Sequence, residues 1–169
     1  MRHSTFIGKI PIYREITQKS PGMSSSAKYK VYLIDDDEDE YLLFQQAIAE
    51  LNIDVEVRYI NNCSEMLDLL DKGHIPDLLF LDLNMHVIGG RECIKKIREK
   101  LKDKLSIIIY STSKYPPDVD GTRLDGANLY VIKPNSFECL MQTLKAVFSI
   151  DWSQKFHFPV KEKYLFQLK

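Results

Sequence analysis

The sequence predicts an α/β protein: a doubly wound, five-stranded parallel sheet with helices on both faces. Three observations predict it. Short apolar runs rich in Ile, Leu and Val recur along the chain, as in Leu78–Leu81 and Leu105–Tyr110. Between them lie longer segments whose apolar residues fall at helical spacing. The two kinds of segment alternate about five times over some 120 residues, and continuous apolar strands separated by helices require a parallel sheet covered on both sides.

Each element has its own signal. Lys30–Ile34 is a β-rich run that ends in acids. Glu38–Leu51 places Tyr41, Leu42, Phe44, Gln45, Ile48 and Leu51 at helical intervals, and the acids Asp37, Glu38 and Asp39 suit a helix start, where the dipole favours negative charge. Val55–Ile60 alternates apolar and polar residues, as a strand with one wetter face does. Ser64–Leu70 is helical and is closed by Gly73 and Pro76. Leu78–Leu81 is a buried strand, Arg91–Leu101 a helix with Lys and Arg on its outer side, and Leu105–Tyr110 another apolar strand. Leu129–Ile132 is a short apolar strand, and Phe137–Phe148 a closing helix with Asn135 or Ser136 as its cap.

Composition narrows the class. Of 169 residues, 44% are apolar and 28% charged, ordinary for a globular protein with one core. No apolar run approaches the roughly 20 residues a membrane helix needs. The first residues, MRHSTFIGKIPIYREIT, lack the apolar core of a secretory signal. A cytoplasmic protein is therefore expected. Cys63, Cys93 and Cys139 are odd in number and widely spaced, which reads as reduced core filler rather than a disulfide framework or zinc site. Net charge is −1. The ends are mildly basic and the middle acidic, so no footprint for DNA is expected. Residues 1–27, with Ser20-Pro21-Gly22 and Ser24-Ser25-Ser26, read as a tail or linker, dispensable as far as residue 22, with Met23 a possible start. Residues 28–150 read as the domain, and 151–169 as an aromatic extension.

Ligands gather at the carboxyl ends of strands in such sheets. The first strand ends in Asp35, Asp36 and Asp37; the run Leu78–Leu81 in Asp82; the next in Ser111 and Thr112; the last in Lys133-Pro134. Asp35, Asp36 and Asp82 would repel one another unless a divalent cation sat among them. Hard oxygen donors suit Mg²⁺ or Mn²⁺ rather than zinc. Lys133 adds a positive charge and Ser111 a hydroxyl, a combination that can place a phosphoryl group. A carboxylate can itself be the nucleophile and form an acyl phosphate.

YLIDDDED, DLLFLDLNM followed by Gly89-Gly90, IIIYSTS and YVIKP, in this order, resemble the receiver domain of two-component response regulators over residues 28–150. The resemblance implies a flavodoxin-like fold with strand order 2-1-3-4-5. It implies Asp82 as phospho-acceptor, Asp35 and Asp36 as the Mg²⁺-binding pair with the backbone carbonyl of Asn84 as a further ligand, Ser111 as the hydroxyl that follows the phosphate, Lys133 as the family's lysine, and Tyr130 as its aromatic switch. It implies a sensor histidine kinase or histidine phosphotransfer protein as donor. Output is then expected through the fourth helix, fifth strand and fifth helix, about Pro116–Asp125, Leu129–Ile132 and Ser136–Phe148.

Two departures stand out. His86 follows Met85 where the family has proline, which frees the unfolded chain at a cost of ~0.4–1 kcal/mol. The fourth-helix stretch, KYPPDVDGTRLDG, carries Gly121, so a short or mobile helix is expected there. After Ile150 only 19 residues follow, too few for a helix-turn-helix or catalytic output domain. Trp152, Phe156, Phe158, Tyr164, Leu165 and Phe166 are apolar enough to fold back on the domain or meet a partner. A stand-alone receiver, not a metabolic enzyme, is the first reading. Two others stay open: a receiver fold that works as an interaction module without phosphate, and a phosphatase of the haloacid-dehalogenase type using Asp35 and Asp37, which would leave Asp82 without a role.

Overall fold

The structure, a computed structural model, describes residues 29–152 and 164–167. The predicted tail, 1–27, lies outside the described residues, as do Phe156 and Phe158 of the extension. The elements run β1 (Tyr29–Ile34), α1 (Glu38–Glu50), β2 (Val55–Ile60), α2 (Cys63–Asp71), β3 (Leu78–Leu81), α3 (Gly90–Leu101), β4 (Ser106–Ser111), α4 (Pro116–Leu124), β5 (Leu129–Ile132), α5 (Phe137–Phe148) and β6 (Leu165–Phe166). The sheet is parallel throughout, in the order β2-β1-β3-β4-β5-β6.

The predicted order 2-1-3-4-5 is present, but the sheet has six strands rather than five. β6 lies along the outer edge of β5, with Tyr130 opposite Leu165 and Val131 opposite Phe166. A two-residue strand has no period to read in a sequence, and its pairing comes from a distant edge. That edge belongs to the face expected to carry output, so β6 covers part of it.

Side chains alternate between two cores because strand residues point to opposite faces. Tyr32 and Ile34 of β1 join Met66 and Leu69 of α2 and Ile94 and Ile97 of α3 on one side. Val31 and Leu33 join Phe44 and Ile48 of α1 and Leu140 and Leu144 of α5 on the other. There Phe44, Phe80 and Tyr110 pack edge to face, with centroids 4.9–6.1 Å apart. Side-chain caps start three helices: Asp37 accepts from the Asp39 amide at α1, Asn62 from Glu65 at α2, which begins one residue earlier than the helix read from the sequence, and Ser136, one of the two residues expected, from Cys139 at α5.

Two glycines hold the site together by having no side chain. A Cβ on Gly90 would lie 2.6 Å from the Asp82 carbonyl oxygen and 2.7 Å from the Leu83 Cα. The start of α3 can thus press against the end of β3. A Cβ on Gly121 would lie 2.6 Å from the Arg91 guanidinium carbon, and Arg91 in turn donates to Asp125 at 2.6 Å. Gly121 does not interrupt α4. The helix is short, nine residues, and runs through the glycine, because the space a side chain would take is filled by Arg91.

Cys63 at the start of α2 and Cys93 in α3 form a disulfide, with Cα atoms 5.7 Å apart; Cys139 is free. This corrects the reading of the cysteines as reduced core filler. Spacing along the chain could not show that the two helix starts face each other beneath the same sheet edge. The bond closes a loop across 30 residues that contains β3 and Asp82, which by chain entropy stabilises by about 3.6 kcal/mol. The chain purified without reductant and denatured is expected to take one alkyl label, on Cys139, and three after reduction. Three labels before reduction would show the pair to be open.

Candidate functional site

The ends of β1, β3, β4 and β5 bring five of the predicted residues to one edge of the sheet; Asn84 lies in the loop after β3, and Tyr130 within β5 in the core. Asp35 and Asp36 follow Ile34, Asp82 follows Leu81, Ser111 closes β4, and Lys133 follows Ile132. Asp35, Asp82, Ser111 and Lys133 each stand at the end of a run the core holds rigid, with Asp36 one residue further on, so their positions are set by the sheet and not by a free loop. Ligand oxygens of Asp35, Asp36 and Asp82 lie within 4.8 Å of one another. Asp35 is 1% exposed and Asp82 5%, while Asp36 opens to solvent.

Buried carboxylates need compensation. Asp35 Oδ2 accepts from Lys133 Nζ at 2.7 Å, and Oδ1 from the Asp37 amide at 3.0 Å. Asp82 Oδ1 accepts from the Leu83 amide at 2.8 Å. Asp36 Oδ2 accepts from the His86 amide at 3.2 Å and pairs with His86 Nδ1. The lysine therefore bonds to Asp35 rather than to Asp82, with Glu40 a second acid at 3.8 Å. Its ammonium also sits 5.4 Å from the centre of the Tyr110 ring.

Ionisation follows from these contacts. Burial pushes the Asp35 carboxyl above the ordinary carboxylate value, and the Lys133 bond offsets only part of that. Burial works against the Lys133 ammonium, yet its bond to Asp35 and the field of Asp82 hold its pKa above the ordinary lysine value. Burial is the largest single influence on Asp36 and acts to raise it, but the His86 ring and amide contacts together hold its pKa below the usual range. Burial raises Glu40 despite Lys133.

Ser111 is fully buried, and its Oγ accepts from Asn84 Nδ2 at 3.3 Å and from the Ser113 amide at 3.4 Å. Tyr130 is also fully buried and points inward: its hydroxyl donates to the Ser113 carbonyl at 2.9 Å. Three participants, Glu40, His86 and Ser113, were not singled out as site residues from the sequence, and Asn84 was singled out for its backbone carbonyl and not for its side chain. Glu40 lies in the first turn of α1, three residues after the cap Asp37, and faces Lys133. His86 was read as an exposed loop residue, and it is exposed, but it bonds to Asp36. The Asn84 side chain on Ser111, and the place of Ser113 between Ser111 and Tyr130, depend on loop geometry that no spacing reveals.

Three hard carboxylates, two of them buried, with one lysine and one buried hydroxyl beside them, fit a divalent cation and a phosphoryl group. Among the described residues, no helix is long and apolar enough to cross a membrane.

Comparison with known proteins points the same way. Residues 31–145 match the family model of the response regulator receiver domain. A chemotaxis protein CheY homolog of Campylobacter jejuni is 29% identical over 119 residues, spanning 70% of this chain and 91% of that protein. A probable methanogenesis regulatory protein FilR2 of Methanothrix harundinacea is 24% identical, spanning 69% of this chain and 79% of that protein. The phosphorylated cyanobacterial phytochrome response regulator RcpA superposes with a TM-score of 0.67 at 26% identity, over 79% of this chain and all of that one. The Mn²⁺-bound response regulator Rcp1 superposes with a TM-score of 0.65 over the same shares, at 22% identity, a likeness of fold.

Proposed function

Since this chain belongs to the response regulator receiver domain family, a family of signalling modules and not of metabolic enzymes, we propose that it is a phosphorylation-controlled switch whose acceptor is Asp82. The observation that carries the proposal is the Asp82 carboxylate itself: it is buried, stands within reach of two further acids, and ends the central strand of a sheet that closes with a lysine. The donor is a phosphohistidine on a sensor kinase or phosphotransfer protein, as in two-component systems. The phosphatase reading has no support once the family is known.

The chemistry follows from the chain's own groups. A carboxylate oxygen of Asp82 attacks phosphorus, the P–N bond of the donor breaks, and the histidine leaves with the electron pair. Asp35, Asp36, Asp82 and the backbone carbonyl of Asn84 would hold Mg²⁺ or Mn²⁺, which supplies charge neutralisation at the phosphoryl oxygens. Lys133, released from part of its bond to Asp35, takes one phosphoryl oxygen; Ser111 Oγ donates to another. Tyr130 already fills the space beside β4 with its hydroxyl on the Ser113 carbonyl, and a phosphoryl group that draws on Ser111 would favour that inward position. This is a two-state element biased by one ligand, which is what a switch requires.

The test is exposure to acetyl phosphate with Mg²⁺, followed by intact mass and peptide mapping. An adduct on Asp82 is expected; an adduct on Asp35, or none, would overturn the assignment. Mg²⁺ affinity is expected to fall at least about tenfold in Asp36→Ala, because one of three carboxylate ligands is lost. Unchanged affinity in a calorimetric titration would place the cation elsewhere.

A further inference from the structure

Tyr130 is not free to turn, and the reason lies outside the receiver fold proper. Tyr164, immediately before β6, is 1% exposed and lies against Tyr130, ring centroids 6.1 Å apart at 67°. Its hydroxyl donates to Thr122 Oγ1 of α4 at 2.8 Å, and that Oγ1 reaches the carbonyl oxygens of Asp118 and Val119 at 2.8 and 3.1 Å. The next two residues pair with β5 at Tyr130 and Val131 themselves. One short segment therefore seals the Tyr130 ring, pins α4, and closes the edge of β5.

From Tyr130 the contacts continue to the acid pocket. Its hydroxyl bonds to the Ser113 carbonyl, Ser113 Oγ donates to Asp118 Oδ2 of α4 at 2.6 Å, and the Ser113 amide donates to Ser111 Oγ. Ser111 is the hydroxyl assigned above to the phosphoryl group. The segment and the pocket thus grip the two ends of one packed chain: Ser111, Ser113, Tyr130, Tyr164, Thr122.

We propose that the C-terminal Tyr164–Phe166 segment is an intramolecular effector of the Asp82 site, with Tyr164 a positioning residue that holds Tyr130 inward. The docked segment fits the inward ring and not an outward one, since an outward Tyr130 would lose its contact with Tyr164 and leave a gap in the core. A ligand that binds one of two states shifts the population toward it. Phosphorylation favours the same inward state, so docking of the segment and loading of Asp82 strengthen each other by one factor, in both directions. The inference rests on the phospho-acceptor role of Asp82. It also places a condition on output: a partner that uses the β5 edge has to displace β6 first.

The experiment is a titration of the full chain with beryllofluoride and Mg²⁺, read by fluorine NMR, alongside Tyr164→Phe, Tyr164→Ala and Thr122→Val. Tyr164→Ala is expected to weaken beryllofluoride binding about fivefold or more, while Tyr164→Phe, which keeps the ring, stays near the parent. Should Tyr164→Ala fail to fold, Thr122→Val, which keeps the shape but leaves the buried Tyr164 hydroxyl unsatisfied, whereas Tyr164→Phe leaves Thr122 Oγ1 bonded to the α4 carbonyls, carries the test with a smaller loss in the same direction. In the parent, beryllofluoride is expected to slow amide exchange at Leu165 and Phe166. A merely structural segment would lower the melting temperature and leave both readouts unmoved. Equal affinities in folded variants overturn the inference; no binding by the parent chain overturns the Asp82 reading instead.

Discussion

Asp82→Asn is expected to abolish uptake of a phosphoryl group from acetyl phosphate while the chain keeps its fold and melts no lower than the parent in metal-free buffer. An asparagine retains the carbonyl oxygen that accepts from the Leu83 amide at 2.8 Å, so the local backbone bond survives. It fills the same space at a position that is 5% exposed. What it loses is the nucleophilic oxygen and one negative charge. That charge stands among the acids Asp35, Asp36 and Glu40, with Lys133 bonded to Asp35, so its removal relieves repulsion. Intact mass after incubation decides the first half and a thermal melt the second. A variant that still gains the mass of a phosphoryl group would move the acceptor to another carboxylate. A variant that melts well below the parent would show that Asp82 is a structural charge.

Much of the fold and the edge that carries the site was legible because both depend on local rules. A parallel strand buried on both faces reads as a continuous apolar run, and whatever polar residue ends the run is delivered to the carboxyl edge. Asp35, Asp82, Ser111 and Lys133 could be collected on that ground alone. What stayed hidden was decided by distant neighbours. Cys63 and Cys93 meet only because two helix starts pack beneath the same edge. Gly121 looks like a helix breaker until Arg91 is seen occupying its side-chain space. β6 has too few residues for a period, and its place is set by the open edge of β5 and by the Tyr164 contacts. The partner of Lys133 also escaped prediction: residue type and spacing brought it to the pocket, but which of several carboxylates it bonds to is a matter of ångströms.

That last point gives the second large effect. Lys133→Met is expected to destabilise the metal-free chain by about 3 kcal/mol near neutral pH, because it strips the cation from a buried pair and leaves the carboxylate behind. The Lys133 side chain is 9% exposed and that of Asp35 1%, so solvent screens the loss little. The pH dependence distinguishes this cause from a simple loss of packing. Asp35 already titrates above its ordinary value of 3.8 because of burial, and Lys133 is the main force pulling it down. Without the lysine its folded pKa rises further. A carboxyl whose folded pKa is raised contributes stability that is fully present below the unfolded value and is lost as pH rises through the folded value. The variant should therefore be most stable in acid, and the gap to the parent should widen from about pH 4 toward neutrality, with Glu40 acting in the same direction. At the other end, the raised Lys133 pKa gives the parent stability that is fully present below the ordinary lysine value of 10.5 and is lost as pH rises through the folded value, so the gap narrows again in strong alkali. Denaturant melts of both chains in chelator across this range measure the gap. Adding Asp35→Asn to Lys133→Met should recover most of the loss at neutral pH, since the orphaned charge is then gone. A gap independent of pH, or a double variant no more stable than Lys133→Met alone, would show that the lysine contributes through the burial of its aliphatic stem and not through its charge.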